Sequence, residues 1–71
     1  MTDLGLFLVK KSASKTEISK KTGISKSRLS ELTLNTSTHL KARELYLIAL
    51  AIDTDPNELF KALYKEVKLI K

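Results

Sequence analysis

The sequence predicts an all-α fold of five short helices in one compact domain. Apolar residues recur at helical spacing, as at Leu45, Ile48 and Ile52. Capping signals precede such segments, and only two glycines and one proline are present to interrupt them. The 71 residues suit one domain, and without cysteine no disulfide can stabilise it. We therefore expect residues 1–71 to form a single domain.

The first predicted helix covers residues 4–11, with Asp3 as its N-cap. Leu4 and Leu8 share one helical face, and Phe7 lies beside them. The same stretch contains an apolar run that would also suit a strand. Helix is the interpretation we prefer for this segment.

Two short helices separated by a glycine come next. A Ser-x-x-Glu capping box at residues 14–17 predicts a second helix over residues 15–22. Gly23 follows it, and glycine most easily adopts the left-handed conformation that ends a helix. Ser25 is then the expected N-cap of a third helix over residues 26–33.

A polar turn over residues 34–38 separates the third helix from the fourth. Asn35 is the predicted stop, because asparagine tolerates a positive φ better than most residues. We expect the fourth helix to open at Thr38 or His39 and to run to about Ile52.

The fifth helix has the strongest start signal in the chain. Asp55 is its expected cap and Pro56 occupies the first helical position. Leu59 and Leu63 then share one face. The tail over residues 65–71 fits either a continuation of this helix or an edge strand that pairs with another chain, and we favour helix.

Ten apolar residues are predicted to form the core because of their periodicity. They are Ile18, Ile24, Leu29, Leu32, Leu45, Ile48, Ile52, Leu59, Phe60 and Leu63. The two tyrosines are expected to pack with their hydroxyl groups at the surface.

Positive charge is concentrated in one part of the chain. The net charge is +5, and residues 10–28 hold seven basic residues and one acidic residue, a local +6. Such a field attracts a phosphate backbone. A solvated basic face would have the same composition, so charge alone does not identify the partner.

The second and third helices have the spacing of a helix-turn-helix at about residues 15–33. In that motif the second helix lies in a DNA major groove about 12 Å wide, while the first crosses the backbone. A close crossing needs a small residue at the contact, for which Ser19 is available, and a permissive turn, which Gly23 supplies. Ile18 and Leu29 belong to the apolar wedge underneath.

Residues 15–32, KTEISKKTGISKSRLSEL, resemble the helix-turn-helix of the lambda-repressor and Cro class, often called the XRE family. The segments LYLIALAI, starting at Leu45, and DPNELF, starting at Asp55, resemble that family's fourth helix and the start of its fifth. The resemblance covers about residues 4–64 and implies a compact five-helix lambda-repressor-like fold.

The sequence departs from the family pattern in three places, two single positions and one short segment. Ser19 stands where alanine is usual, and Lys15 stands where glutamine is usual. The family often ends its recognition helix with Glu, one more residue and Gly, where this chain has residues 33–35, Thr-Leu-Asn. The departures affect the expected path of the following loop and leave the expected fold unchanged.

The resemblance implies binding of double-stranded DNA. Lys15 would contact phosphate, Lys26 and Ser27 would face base edges, and Arg28 would lie near the backbone or an adjacent base. The loop after the recognition helix would meet the phosphates again. The full set of expected contacts is Lys15, Thr16, Ser25, Lys26, Ser27, Arg28, Glu31, Thr36, Thr38, His39 and Lys41.

The chemistry of these side chains fits base recognition. Lys26 can donate to guanine O6 and N7, and Ser27 can donate or accept. Glu31 can accept from cytosine N4. Without such a donor, Glu31 would repel DNA or pair with Arg28, three residues away on the same face.

Two functions are compatible with the sequence. The first is a transcriptional regulator of the repressor type that binds DNA as a homodimer, with Val67, Leu69 and Ile70 as the candidate dimer surface. These residues could also merely cover the core. The second is a protein-interaction module, such as an antitoxin whose main partner is another protein.

Other functions are disfavoured. The single His39 has no cysteine or paired carboxylates near it in sequence, so we expect no metal, no cofactor and no enzymatic activity. The longest apolar run, residues 6–9, is too short to span a bilayer, and no secretion signal is recognisable. We expect a cytoplasmic protein.

Overall fold

A computed structural model describes residues 1–70, and five α-helices account for all of the regular secondary structure in that range. The helices are α1 (Asp3–Lys10), α2 (Lys15–Thr22), α3 (Lys26–Leu34), α4 (Ala42–Ala51) and α5 (Pro56–Tyr64). The expected all-α class is confirmed, and the strand interpretation of the first segment is wrong. α1 packs against α3 and α5, while α4 packs against α2 and α5.

Three helices begin at the caps that the sequence predicts. The Ser14 hydroxyl accepts from the Glu17 amide at 3.3 Å, and the Asp55 carboxylate accepts from the Asn57 amide at 2.9 Å. Ser25 caps α3 in the same way. These signals succeed because each cap involves residues only two or three positions apart.

The first helix is capped by Thr2, so the expected Asp3 cap is wrong. The Thr2 hydroxyl accepts from the Gly5 amide at 3.1 Å and donates to the Leu32 carbonyl at 2.7 Å. The second bond reaches α3, thirty positions away in sequence. Asp3 is instead the first residue of α1.

The third helix ends where predicted, but its end has a different conformation. Asn35 follows the helix with φ −105° and ψ 110°, an extended backbone, so the expected positive φ is wrong. The Asn35 side chain accepts from the amide and the hydroxyl of Ser37, at 2.9 and 2.7 Å. An asparagine turn of this kind starts the loop to α4.

The fourth helix begins at Ala42, three to four residues later than expected. The Lys41 amide donates to the Glu44 carboxylate at 2.9 Å, which satisfies a backbone donor at the helix start. Leu40 packs against the core just before this point. The chain from Thr38 to Leu40 therefore remains a loop.

The tail over residues 65–70 forms neither a helical extension of α5 nor a strand. α5 ends at Tyr64, a turn follows over residues 65–66, and residues 67–70 have no regular structure. The predicted helical extension is therefore wrong for residues 65–70, and Lys71 lies outside the described residues. Leu69 is 89% exposed.

Nine apolar residues form one buried cluster between the helices. They are Leu4, Leu8, Ile18, Leu29, Leu32, Leu45, Ile48, Ala49 and Leu59. Three more predicted core residues, Ile24, Ile52 and Leu63, are half-buried against this cluster. Phe60 is 55% exposed, so its core assignment is wrong. It lies to one side of Leu59 on α5 and contacts the Tyr64 ring edge-on.

Gly5 allows α1 to approach the end of α3. A Cβ atom at this position would lie 2.5 Å from the carbonyl oxygen of Thr33. That oxygen also accepts from the Thr2 amide at 2.9 Å, so it cannot withdraw without breaking a hydrogen bond. Only glycine fits here without a shift of the backbone.

We predict that Gly5→Ala lowers the free energy of unfolding by about 1–2 kcal/mol. The clash costs more than the roughly 1 kcal/mol that alanine gains inside a helix. Urea unfolding followed by circular dichroism measures the change.

Gly23→Ala is the comparison variant, because no atom lies within 4 Å of its added Cβ. It should cost about 1–2 kcal/mol through its positive φ alone. A Gly5→Ala chain more stable than the wild type would show that α1 and α3 are not in close contact.

Candidate nucleic-acid interface

A tight turn at residues 23–25 joins α2 to α3. Gly23 has φ +81° in the left-handed region, and its amide donates to the Ser19 carbonyl at 2.9 Å. The Thr22 hydroxyl donates to the Ile18 carbonyl at 2.7 Å and accepts from the Ile24 amide at 3.1 Å. The turn is thus closed by its own hydrogen bonds before Ser25 caps α3.

Buried residues on both helices fix how α2 and α3 lie against the rest of the molecule. Ile18 of α2 and Leu29 of α3 are almost completely buried, and Leu32 lies one turn further along α3. Ser19 is half-buried, consistent with a small residue where helices approach closely. Because this side of α3 faces the core, its other side faces solvent.

The expected DNA-contacting residues differ in how accessible they are. Thr16, Ser25, Lys26, Ser27, Glu31, Thr36, His39 and Lys41 are exposed. Lys15, Arg28 and Thr38 are half-buried. Ser25, Lys26 and Ser27 form an exposed run at the start of α3.

Arg28 is held by Glu44, which is not among the residues predicted to contact DNA. The Arg28 Nε donates to Glu44 Oε2 at 2.8 Å, and Nη2 donates to Oε1 at 3.0 Å. Nη2 also donates to the His39 carbonyl at 2.9 Å. The suggested Arg28–Glu31 ion pair is therefore wrong, because the guanidinium faces α4.

Both members of this ion pair are partly shielded from solvent. The Glu44 side chain is 13% exposed and the Arg28 side chain 29% exposed. The hydrogen bonds from Arg28 lower the pKa of Glu44; partial burial opposes that change and the Lys41 amide supports it. The same contact raises the pKa of Arg28. Both groups are therefore charged at neutral pH.

Glu44 connects the start of α3 to the start of α4. Its carboxylate accepts from Arg28 and from the Lys41 amide, while Arg28 also holds the His39 carbonyl. A glutamate at the third position of a helix is a recognisable capping signal. In a helix that begins at Thr38 or His39, as the sequence predicts, Glu44 would lie beyond the first turn and could not be recognised as part of a cap.

The loop between α3 and α4 also borders an open groove of about 510 Å³. Thr36, Thr38 and His39 line the groove together with Leu63 and Tyr64 from the end of α5. Within residues 1–70, no three acidic or histidine side chains are grouped so that they could hold a metal ion.

A comparison with protein-family models identifies the family to which the chain belongs. The family model described as a Cro/C1-type HTH DNA-binding domain matches residues 4–63. The chain belongs to this family. As a Cro/C1-type domain it binds DNA, and its five helices are consistent with the lambda-repressor-like fold. The resemblance seen in the sequence is confirmed, and the family is non-enzymatic.

No curated protein and no solved structure matches this Cro/C1-type domain significantly. Over residues 1–70, none of the helices has the length and apolar character needed to cross a bilayer.

The Arg28–Glu44 contact predicts a pH dependence of stability. In the folded protein the pKa of Glu44 lies below its ordinary value of 4.5. The contribution of the ionised Glu44 to the free energy of unfolding is therefore complete above pH 4.5. The contribution is lost as the pH falls through the lowered pKa. Glu44→Gln should cost about 1–2 kcal/mol at pH 7 and should lose stability less steeply below pH 4.5.

Urea unfolding at several pH values tests this, with Glu66→Gln as the control. Glu66 is an exposed residue beyond α5, so its change removes the same charge without breaking the contact. Equal acid sensitivity of the wild type and Glu44→Gln would contradict the assignment.

Proposed function

We propose that the protein is a transcriptional regulator of the repressor type that binds a specific sequence of double-stranded DNA. In this proposal the start of α3 enters the major groove and reads base edges. The observation that carries it is the exposed run Ser25, Lys26 and Ser27, on a helix whose opposite side is buried at Leu29 and Leu32. A bound repressor acts by occupying DNA that other proteins would need.

The distribution of charge and hydrogen-bonding groups supports the proposal. Lys20 and Lys21 are exposed on α2 and Lys26 is exposed on α3, so positive charge surrounds the turn. Exposed Thr36 and His39 offer further donors for phosphate on the loop after α3. We take Lys15, Thr16 and Lys41 as further backbone contacts, and Glu31 as a groove-side residue.

We further propose that the protein acts as one domain, in the cytoplasm, as a homodimer. A single buried cluster supports one domain. A dimer doubles the DNA contacts and reads half-sites about 34 Å apart. Phe60 and Tyr64 on α5, with Val67, Leu69 and Ile70 in the tail, are exposed and form the proposed dimer surface.

The position of this surface suits a dimer on DNA. Leu63 and Tyr64 line the same groove as Thr36, Thr38 and His39. Contact between two copies at the end of α5 would therefore place their two DNA-facing loops near each other. A symmetric pair of half-sites follows from that arrangement.

Selection of bound duplexes from a random pool tests sequence-specific binding. We expect a palindromic motif whose affinity falls steeply with salt, because each neutralised phosphate contributes about −0.9 to the slope of log K against log salt. Lys26→Ala should relax the preference at one base position in each half-site, at a cost of about 1–3 kcal/mol.

Lys15→Ala is the matched variant of that experiment. It should weaken binding to all sequences alike and reduce the salt slope by about one unit, without changing the motif. An unchanged motif for Lys26→Ala would show that Lys26 does not read a base.

Leu69→Asp tests the dimer surface. We expect analytical ultracentrifugation to give twice the mass of one chain for the wild type and a shift to monomer for this variant, because a charge would be buried at the interface. Tyr46→Asp, at an exposed position on α4, is the control and should leave the dimer intact. A monomeric wild type, or an unaffected Leu69→Asp dimer, would contradict the assigned surface.

A protein partner is the second candidate, as for an antitoxin. Exposed apolar residues outside the proposed dimer surface favour it, among them Tyr46 and Leu50 on α4 and Val9 on α1. The selection experiment separates the two candidates. A chain that selects no motif but binds a co-encoded protein tightly in a 1:1 complex would support this second function.

A further inference from the structure

Arg28 stands at the third position of α3, close to the proposed base-reading residues, yet most of its hydrogen-bond donors are already used. A guanidinium carries five N–H donors in a rigid plane. Nε uses its single hydrogen on Glu44, and Nη2 uses one on Glu44 and the other on the His39 carbonyl. The two remaining hydrogens are both on Nη1.

This use of donors prevents Arg28 from recognising guanine in the usual way. Bidentate recognition of guanine O6 and N7 needs two parallel N–H groups on one edge of the guanidinium. The two edges that offer such a pair, Nε with Nη2 and Nη1 with Nη2, both include Nη2. Both hydrogens of Nη2 are engaged, so Arg28 would have to leave Glu44 or His39 first.

The contacts of Arg28 instead join two segments of the proposed DNA interface. Arg28 and its neighbours Lys26 and Ser27 belong to the first turn of α3. The His39 carbonyl and the Lys41 amide, held by Arg28 and Glu44, belong to the loop proposed to contact phosphate. In DNA complexes, phosphate contacts set the register in which base-reading side chains meet the bases.

We propose that Arg28 is a positioning residue of the DNA interface, which acts through Glu44 and His39 to hold the α3–α4 loop against the start of the recognition helix. Glu44 keeps the arginine out of the major groove and so removes a guanine-reading group from the interface. This inference rests on the proposed function and assigns the base reading to Lys26 and Ser27.

Two substitutions have different effects under this proposal, one on affinity and the other on the selected motif. Arg28→Ala releases the loop and removes no base contact, so the selected motif should stay the same. Affinity should fall about tenfold, and the salt slope should decrease by about one unit because phosphate contacts of the loop are lost. Glu44→Ala frees the arginine, so the selected motif should gain a guanine preference at one position per half-site.

The experiment is selection from a random duplex pool, followed by affinity measurements at several salt concentrations. Each variant is measured below the onset of its thermal unfolding. Lys61→Ala is the control, since it removes one exposed positive charge from α5. It should keep the wild-type motif and an affinity within about twofold. Glu44→Gln retains an acceptor for the Lys41 amide, and we expect it to gain the same guanine preference more weakly.

Each result bears on the proposal. A base preference that is lost in Arg28→Ala would identify Arg28 as a base reader and overturn it. An Arg28→Ala variant that binds as Lys61→Ala does, or Glu44 variants without the added guanine, would overturn it as well. Reduced stability alone cannot add a base preference. A wild-type chain that selects no motif would refute the proposed function first, and this inference with it.

Discussion

The left-handed turn at Gly23 is the constraint on which the rest of the molecule depends. Within three residues it ends α2, redirects the chain and brings Ser25 into position to cap α3. The buried side chains of Ile18 and Leu29 then fix α3 with one side in the core. The exposed position of Lys26 and Ser27 is a consequence of that packing. A helix that can enter a groove is thus produced by a turn and a core, before any DNA is present.

Glu44 adds a second constraint, because it holds both Arg28 on α3 and the start of α4. A carboxylate near a DNA-binding surface repels phosphate unless its charge is compensated, and here Arg28 compensates it. The same carboxylate satisfies the Lys41 amide at the start of α4. The ion pair is partly buried and has further hydrogen bonds on both sides, which offset the cost of removing the two charges from water. In the proposed interface, these hydrogen bonds therefore join the start of α3 to the loop before α4.

The sequence was sufficient at four helix ends where the structure depends on neighbouring residues. The caps at Ser14, Ser25 and Asp55 and the stop at Gly23 all involve residues within four positions, so their signals are visible in the chain. It was insufficient where distant residues decide. Thr2 caps α1 while it also binds the Leu32 carbonyl, and Leu40 packs on the core ahead of a late start of α4. The contact between Arg28 and Glu44 joins residues sixteen positions apart on different helices, so no local pattern in the sequence predicts it.

Under the proposed function, the exposed start of α3 is the surface that meets DNA. Amide chemical-shift changes, recorded by NMR while the protein is titrated with its selected duplex, measure that surface residue by residue. We expect the largest changes at residues 25–28, with further changes at residues 15–16 and 36–41 and small ones along the outer side of α4. Changes concentrated on α4, with residues 25–28 unaffected, would contradict the account.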